Sequence, residues 1–434
     1  MSKRVLITGA RAPVAVDMTL LFHRAGTEVH VADSTPLLFA AGLKCVAGSY
    51  RLPSARGNLP VYARAVADLV KRHGIDLVVP TCEEVFHLAA ARDTGFSIPL
   101  FAPPITVLRP LHDKFAFIEL VRDLGFDAPK TTLLRSEADV AALAGRSRDL
   151  VFKPCFSRFA VETRVGVAPQ KLKRIKPTLQ APWVAQELLK GQEFCIYAVA
   201  INGRLTAFSA YRPLYRMGQA ASYYFEPVDL PEAERFAAGI VAATRLDGQI
   251  SFDMIRTADR GLLPVECNPR ATSGLHLLAD RPEIAERILS RPEVSNLKAE
   301  ALSPDKVPPP LSGRATRLAP KGVGVLLREN PKAIVCSSSD DIIRPRPAAG
   351  PAACKAVMWL LGLAPAIAQG KVGRWRTDKR RARDIFAVPG SPLNLRAWQT
   401  LGSYCLEALK TRRPLRAITT TDIEWDGEPL DARL

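Results

Sequence analysis

The chain has 434 residues, 47% apolar and 24% charged, the composition of a globular protein of two or three domains. Its formal net charge is +17, and its eight cysteines are scattered without a C-x-x-C pair, which argues against a zinc ribbon and a disulfide framework and fits a reducing, cytoplasmic setting. MSKRVLITGA enters a strand at once, with an apolar run too short for a signal peptide.

Residues 4–33 predict strand, helix, strand: RVLITGA is a buried strand, 13–25 an apolar-periodic helix, and TEVHVAD a strand after Gly26. A helix at 61–73, the strand IDLVVP at 75–80 and a helix from Glu83 continue the rhythm, which implies a parallel, doubly wound sheet. The dinucleotide fingerprint is missing, because Gly9 stands alone and Arg11 and Val14 hold the later glycine positions of G-x-G-x-x-G. Nicotinamide chemistry is therefore set aside, and Asp33 is read as a capping or domain-contact residue. FAPPITVL at 101–108 reads as a proline-rich connector that closes a first domain at 1–103.

A second domain is expected at 104–300. Asp113 is a helix N-cap, with the helix running to about Leu124 and stopped by Gly125. A helix at 136–144 leads into the strand DLVFKP, and PWVAQELLKGQEFCIYAVA at 182–200 reads as two strands with a turn at Lys190-Gly191. YRPLYRMGQAASYYF at 211–225 fits either a substrate loop or a strand pair with exposed tyrosines.

The most informative stretch is GQISFDMIRTADRGLLPVECNPR, residues 248–270, two strands joined by a turn at Asp259-Arg260-Gly261. Side chains alternate across a strand, so Glu266 and Asn268 face the same way, and in a paired hairpin Asp253 shares that face. Two carboxylates and an amide oxygen suit Mg²⁺ that keeps waters and leans on substrate phosphates. The alternative is a solvated polar face. Arg270 adds a fixed cation, and Cys267 points oppositely, into packing. Cys155 is read as a small core cysteine, with an activated thiol as the alternative, and His276 as structural or close to a substrate.

PDKVPPPLSG marks a boundary near 300–312, after which a C-terminal extension, 301–434, is less legible. AACKAVMWLLGLAPAIAQ at 352–369 carries Lys355 and Pro365 and barely approaches the roughly 20 residues of a membrane span, so a buried or interfacial helix is expected. Residues 371–416 hold twelve Lys and Arg against three acids. With no nucleic-acid module in the chain, a solvated basic face, or one that attracts an anionic substrate, is the simpler reading.

In chain order the motifs are HDK at 112–114, VFKP at 151–154, QELLKGQEF at 186–194, SFD at 251–253 and VECNPR at 265–270. This series resembles the ATP-grasp superfamily of ligases, in the style of carbamoyl-phosphate synthetase and biotin carboxylase domains, over about residues 1–285. The resemblance implies an α/β fold: a Rossmann-like N-terminal domain, a two-lobed ATP-grasp fold and a C-terminal extension. It implies that Lys114 and Lys153 meet the nucleotide phosphates, Lys153 also serving catalysis; for Lys114 a surface helical lysine is the alternative. Gln186, Glu187, Leu188 and Leu189 would form the hinge at the adenine, with Gln186 touching the purine and the two leucines lining the ring. Glu193 would hold the ribose hydroxyls. Asp253, Glu266 and Asn268 correspond to the metal ligands, Glu266 bridging two ions, and Arg270 to the arginine that steadies the transferring phosphoryl group.

The implied cofactors are ATP and Mg²⁺, with Mn²⁺ as a substitute. The implied partners are a small-molecule carboxylate and an amine (or thiol), with no nucleic acid, no membrane span and compatibility with a homodimer. The implied reaction is ligation through an acyl phosphate, giving ADP and phosphate; a phosphotransferase or a nucleotide-binding protein without turnover are the alternatives. One departure stands out. Where many relatives carry a glycine-rich loop after the strand lysine, this chain has PCFSRFAVETR at 154–164, without glycine. Ser157 and nearby amides would cap the phosphates, and Arg158 would reach the γ-phosphate.

Overall fold

A computed structural model of the chain describes residues 2–36, 38–158, 162–216, 222–291, 341–412 and 419–430. The boundary expected at 300–312 lies outside the described residues.

The first unit is a parallel four-stranded sheet in the order β3-β2-β1-β4, with β1 at Arg4–Thr8, β2 at Glu28–Asp33, β3 at Val46–Arg51 and β4 at Leu77–Val79. Helix α1 (Pro13–Arg24) connects β1 to β2 and α2 (Leu59–His73) connects β3 to β4, while α3 (Glu84–Asp93) follows β4. Val5, Leu6 and Ile7 are fully buried, as a parallel strand covered on both faces requires. The loop after β1 leaves no room for a pyrophosphate at Gly9: a Cβ there would lie 2.7 Å from both the Glu84 carboxylate and the Thr81 hydroxyl. Asp33 is a loop-holding residue whose partners, Arg11 and Ser34, lie in the same unit. It accepts the Arg11 Nε proton at 2.9 Å, while the same guanidinium reaches Asp422 from the far end of the chain at 2.6 and 2.7 Å.

The proline-rich stretch expected as a connector instead contains a helix, α4 (Ile105–His112). Pro104 sits just before the helix, where a missing N–H costs nothing, and Pro110 is held in the last turn. Helix α5 (Lys114–Asp123) follows at once, its first turn capped by the Asp113 carboxylate, which accepts from Phe115 N at 2.9 Å and Ala116 N at 3.2 Å. The helix expected at 136–144 is shorter: α6 spans Glu137–Ala141 behind a Ser136/Asp139 capping box, and Ala144–Asp149 is 3₁₀.

Two further sheets face each other across the candidate site. The smaller has the order β5-β8-β6-β7, all antiparallel, from β5 (Thr131–Leu134), β6 (Leu150–Pro154), β7 (Arg164–Val165) and β8 (Trp183–Glu187). The larger has seven strands. Five of them run in the order β13-β12-β9-β10-β11, from β9 (Gln192–Ile201), β10 (Arg204–Arg216), β11 (Ser222–Pro227), β12 (Gly248–Thr257) and β13 (Gly261–Asn268). Ala352–Ala353 and Arg383–Asp384 extend that sheet beyond β11, so the C-terminal extension is continuous with it. Helix α7 (Pro231–Thr244) and α5 cover its other face, with Phe117, Phe236 and Phe252 in mutual ring contact. The 211–225 stretch contributes to the strand pair β10–β11, but its tyrosines are not exposed: Tyr211, Tyr223 and Tyr224 are buried.

Candidate functional site

Hairpin register builds the acidic side. Asp253 lies opposite Glu266 and Ser251 opposite Asn268, so these four share one face of the large sheet. Asn268 Nδ2 donates to Asp253 Oδ2 at 3.4 Å. Cys267, on the other face, is buried in the core with Phe252 and Phe117. The pairing jumps from Glu266 to Pro264, leaving Val265 as a bulge. Pro264 has no N–H to give to the ladder, which suits a break there. The extra carbonyl, Val265 O, turns toward the small sheet and accepts from Lys153 Nζ at 3.4 Å and Gln186 Nε2 at 3.5 Å.

The cationic side comes from two other elements. Lys153 lies opposite Val184 and Gln186 opposite Val151, so Lys153 and Gln186 share the face of the small sheet turned away from Phe152 and its core. Lys114 occupies the first turn of α5, an unfavourable place for a cation at the positive end of the helix dipole. It is nonetheless buried, donating to Ser157 O at 2.9 Å and standing 3.8 Å from Glu266. The surface-lysine alternative is thereby removed. Arg270 donates to Asn268 Oδ1 at 3.0 Å and to Ala271 O at 3.2 Å.

These charges shift one another. Burial, and then the neighbouring Glu266 charge, push Asp253 up to about 7. Burial also pushes Glu266 up, but Lys114 and Lys153 more than reverse it, leaving its carboxyl below the usual range. Burial, followed by the Lys114 charge, brings Lys153 down to about 8 against the pull of Glu266 and Asp253. Two adjacent, half-buried carboxylates that compete for protons are the situation a divalent cation relieves. Among the described residues no group of three His, Cys, Asp or Glu side chains gathers at metal-holding distance. The Asn268 amide turns its nitrogen to Asp253 and its oxygen to Arg270, so it would have to rotate for that oxygen to join the two carboxylates around a hard cation that keeps part of its water shell.

The 186–189 hinge is partly committed. Glu187 N donates to Lys130 O at 2.8 Å and Leu188 N to Asp149 O at 2.9 Å, so these two amides serve the small sheet. The Glu187 carboxylate holds Arg260 at 3.0 Å. Gln186 is buried and also donates to Thr131 Oγ1 at 3.2 Å. Leu188 and Leu189 are half-buried. Glu193 lies two residues before Cys195, the partner of Asp253 across β9 and β12, and therefore on the same sheet face; its carboxylate is ion-paired with Arg216.

Two groups escaped the sequence reading. Glu83, at the C-terminal end of the parallel strand β4, stands 3.3 Å from Arg158 and 3.6 Å from Arg270. Arg158 thus engages Glu83 and is not held out toward a γ-phosphate. An acidic pair directly after a parallel strand was the available signal, since ligands gather at that end of such sheets. Arg216, the partner of Glu193, lies in the 211–225 stretch, where the sequence offered a substrate loop or a strand pair and no role for its arginines. His276 is structural: its Nδ1 lies 2.6 Å from Asp17 of α1, and both are buried. Cys155 is buried in the core, and burial pushes its thiol well up, which removes the activated-thiol alternative.

No known protein-family signature and no curated protein matches the sequence. Solved structures do match. The L-amino acid ligase from Bacillus licheniformis is 16% identical, with a TM-score of 0.50 over 64% of this chain and 70% of that one. The N5-carboxyaminoimidazole synthetase from Staphylococcus aureus is 12% identical, with a TM-score of 0.53 over 68% of this chain and 80% of that one. The biotin carboxylase domain of the Hydrogenobacter thermophilus 2-oxoglutarate carboxylase, a dimer in complex with MgADP, ADP and bicarbonate, is 14% identical, with a TM-score of 0.52 over 64% of this chain and 65% of that one. These are ATP-grasp ligases, and about two thirds of this chain shares their fold.

Proposed function

We propose that the protein is an ATP- and Mg²⁺-dependent ligase that joins a small-molecule carboxylate to an amine or thiol through an acyl phosphate. The observation that carries this reading is the facing of Asp253, Glu266 and Asn268 by two buried ammonium groups, Lys114 and Lys153, within an ATP-grasp fold. A buried lysine needs an anion, and a nucleotide polyphosphate supplies it.

Asp253, Glu266 and Asn268 would hold the metal, which when bound neutralises charge on the transferring phosphoryl oxygens. Lys114 and Lys153 would bind the nucleotide phosphates, and Glu193, released from Arg216, would accept from the ribose hydroxyls. The substrate carboxylate oxygen attacks the γ-phosphorus as its bond to the β-phosphate oxygen breaks, giving acyl phosphate and ADP. Arg270 spans the acceptor carboxylate and the phosphoryl oxygens with its planar fork of donors. The nucleophile then attacks the acyl carbon, phosphate leaves with the bonding pair, and the nucleophile loses its proton. The protein's contribution is positioning and charge neutralisation.

The test is a screen of carboxylates with amines and thiols for ADP and phosphate release, with products identified by mass spectrometry. A product carrying both acceptors supports ligation. ADP formation that needs no amine or thiol and leaves phosphate on the acceptor would make the protein a phosphotransferase instead.

A further inference from the structure

Eight of the eleven large apolar side chains that stand exposed among the described residues fall between 359 and 409. The first group belongs to a run from 356 to 368 without one polar side chain. The run begins in the helical turn Lys355–Val357, passes through a π turn at Met358–Gly362 and ends in the helix Leu363–Ala368. Only Met358, Gly362 and Ala366 are buried, a stripe of period four. The other face presents Trp359, Leu360, Leu361 and Ile367 at 54%, 50%, 38% and 61% exposure. The helix Leu393–Thr411 packs inward through Leu393 and Ala397 against Met358 and Trp375 and outward exposes Leu395, Trp398, Leu406 and Leu409. A helix that is apolar all round has no reason to face water.

Cations border this surface. The helix Val372–Arg381 is fixed to the run by Trp375, whose Nε1 donates to Met358 O at 3.3 Å. Its one acid, Asp378, is buried and accepts from Tyr215 OH at 2.7 Å. Arg376, Arg380 and Arg381 are exposed and have no ion-pair partner among the described residues. Exposed tryptophan and leucine beside unpaired arginine is the chemistry of an element lying in the plane of a membrane interface. Among the described residues no helix is long and apolar enough to cross a bilayer, so this surface would rest on one. A second copy is the poorer occupant, because it would bring two sets of arginines together on chains of net charge +17.

We propose that the face formed by 356–368, 372–381 and 393–411 docks the protein on an anionic lipid surface, its apolar side chains entering the headgroup boundary and its arginines meeting lipid phosphates. This inference does not depend on the ligase reading. The test is flotation of the full chain with vesicles of phosphatidylcholine alone and of equimolar phosphatidylcholine and phosphatidylglycerol. Binding is expected only to the mixed vesicles and is expected to weaken at about 0.5 M salt. The triple change Arg376→Gln, Arg380→Gln, Arg381→Gln should weaken it about a hundredfold, each arginine contributing about fivefold. Trp359→Glu with Leu360→Glu should abolish it, and because these side chains are exposed the thermal melt should stay unchanged. Absence of flotation with mixed vesicles, or flotation that survives both variants, would overturn the proposal. So would sedimentation showing a dimer without lipid that Trp359→Glu dissociates while vesicles leave the protein unbound.

Discussion

Glu266 sits at the centre of the charge balance, opposite Asp253 in the hairpin and 3.8 Å from Lys114. Its isosteric change to Gln should cut turnover by orders of magnitude while the melt of the unliganded protein hardly moves, and Asn268→Ala should do the same. Normal turnover in Glu266→Gln would remove it as a metal ligand. Arg270→Lys keeps the charge and loses the planar fork, so the rate should drop much more than ATP affinity. A parallel fall in both would reduce Arg270 to a nucleotide contact. Glu193→Ala should weaken Mg-ATP binding in calorimetry and leave the fold intact; unchanged affinity would show that Glu193 serves only Arg216.

At the scale of elements, the C-terminal segment 419–430 is the part least foreseen. Trp425 is 1% exposed, with Phe86, Phe156 and His112 rings at 4.8, 5.3 and 6.2 Å, so it ties α3, α4 and the loop after Lys153 together. Trp425→Ala should cost about 3–5 kcal/mol, read as a lowered denaturation midpoint. A cost near zero would mean that the segment is not docked in solution. The same contact predicts acid sensitivity. Burial brings His87, which lies beneath Ile423 and Glu424, down to about 4, and burial also holds His112 well below its ordinary value. Both fold in the neutral form, so at these two sites the unfolded chain binds more protons below about pH 6.5 and their contribution to stability falls from there toward pH 4, while Asp253, raised to about 7, contributes in the opposite sense. For His87 the loss amounts to about 3 kcal/mol. His87→Phe should remove this loss, and a variant melt that falls toward pH 4 as steeply as the wild type would contradict it.

Local pattern explains what could and could not be read beforehand. Strand β1, the Asp113 cap and the 248–270 hairpin announce themselves through periodicity and turn residues, because their stability is decided within a few neighbours. Helix α4 was hidden by Pro104 and Pro110, whose cost depends on where in the helix they fall. The meeting of Glu83 with Arg158 and Arg270, and of Asp422 with Arg11, spans 75 to 411 positions of sequence and leaves no local mark. The Val265 bulge, which turns a carbonyl onto Lys153 and Gln186, is likewise set by pairing across the sheets.

At the scale of the whole molecule, the smaller and the larger sheet meet over a row of buried and half-buried charges, and the parallel sheet adds Glu83 from the side. This arrangement stores little folding stability, since buried ion pairs roughly break even against desolvation. It supports a reading in which the charges serve a polyanionic ligand. The most direct measurement of that reading is oxygen-18 transfer, made on the substrate pair found in the product screen. With the carboxylate labelled, the proposed acyl phosphate predicts one labelled oxygen in the phosphate released per turnover. Label that remains wholly in the ligated product would contradict the acyl-phosphate route.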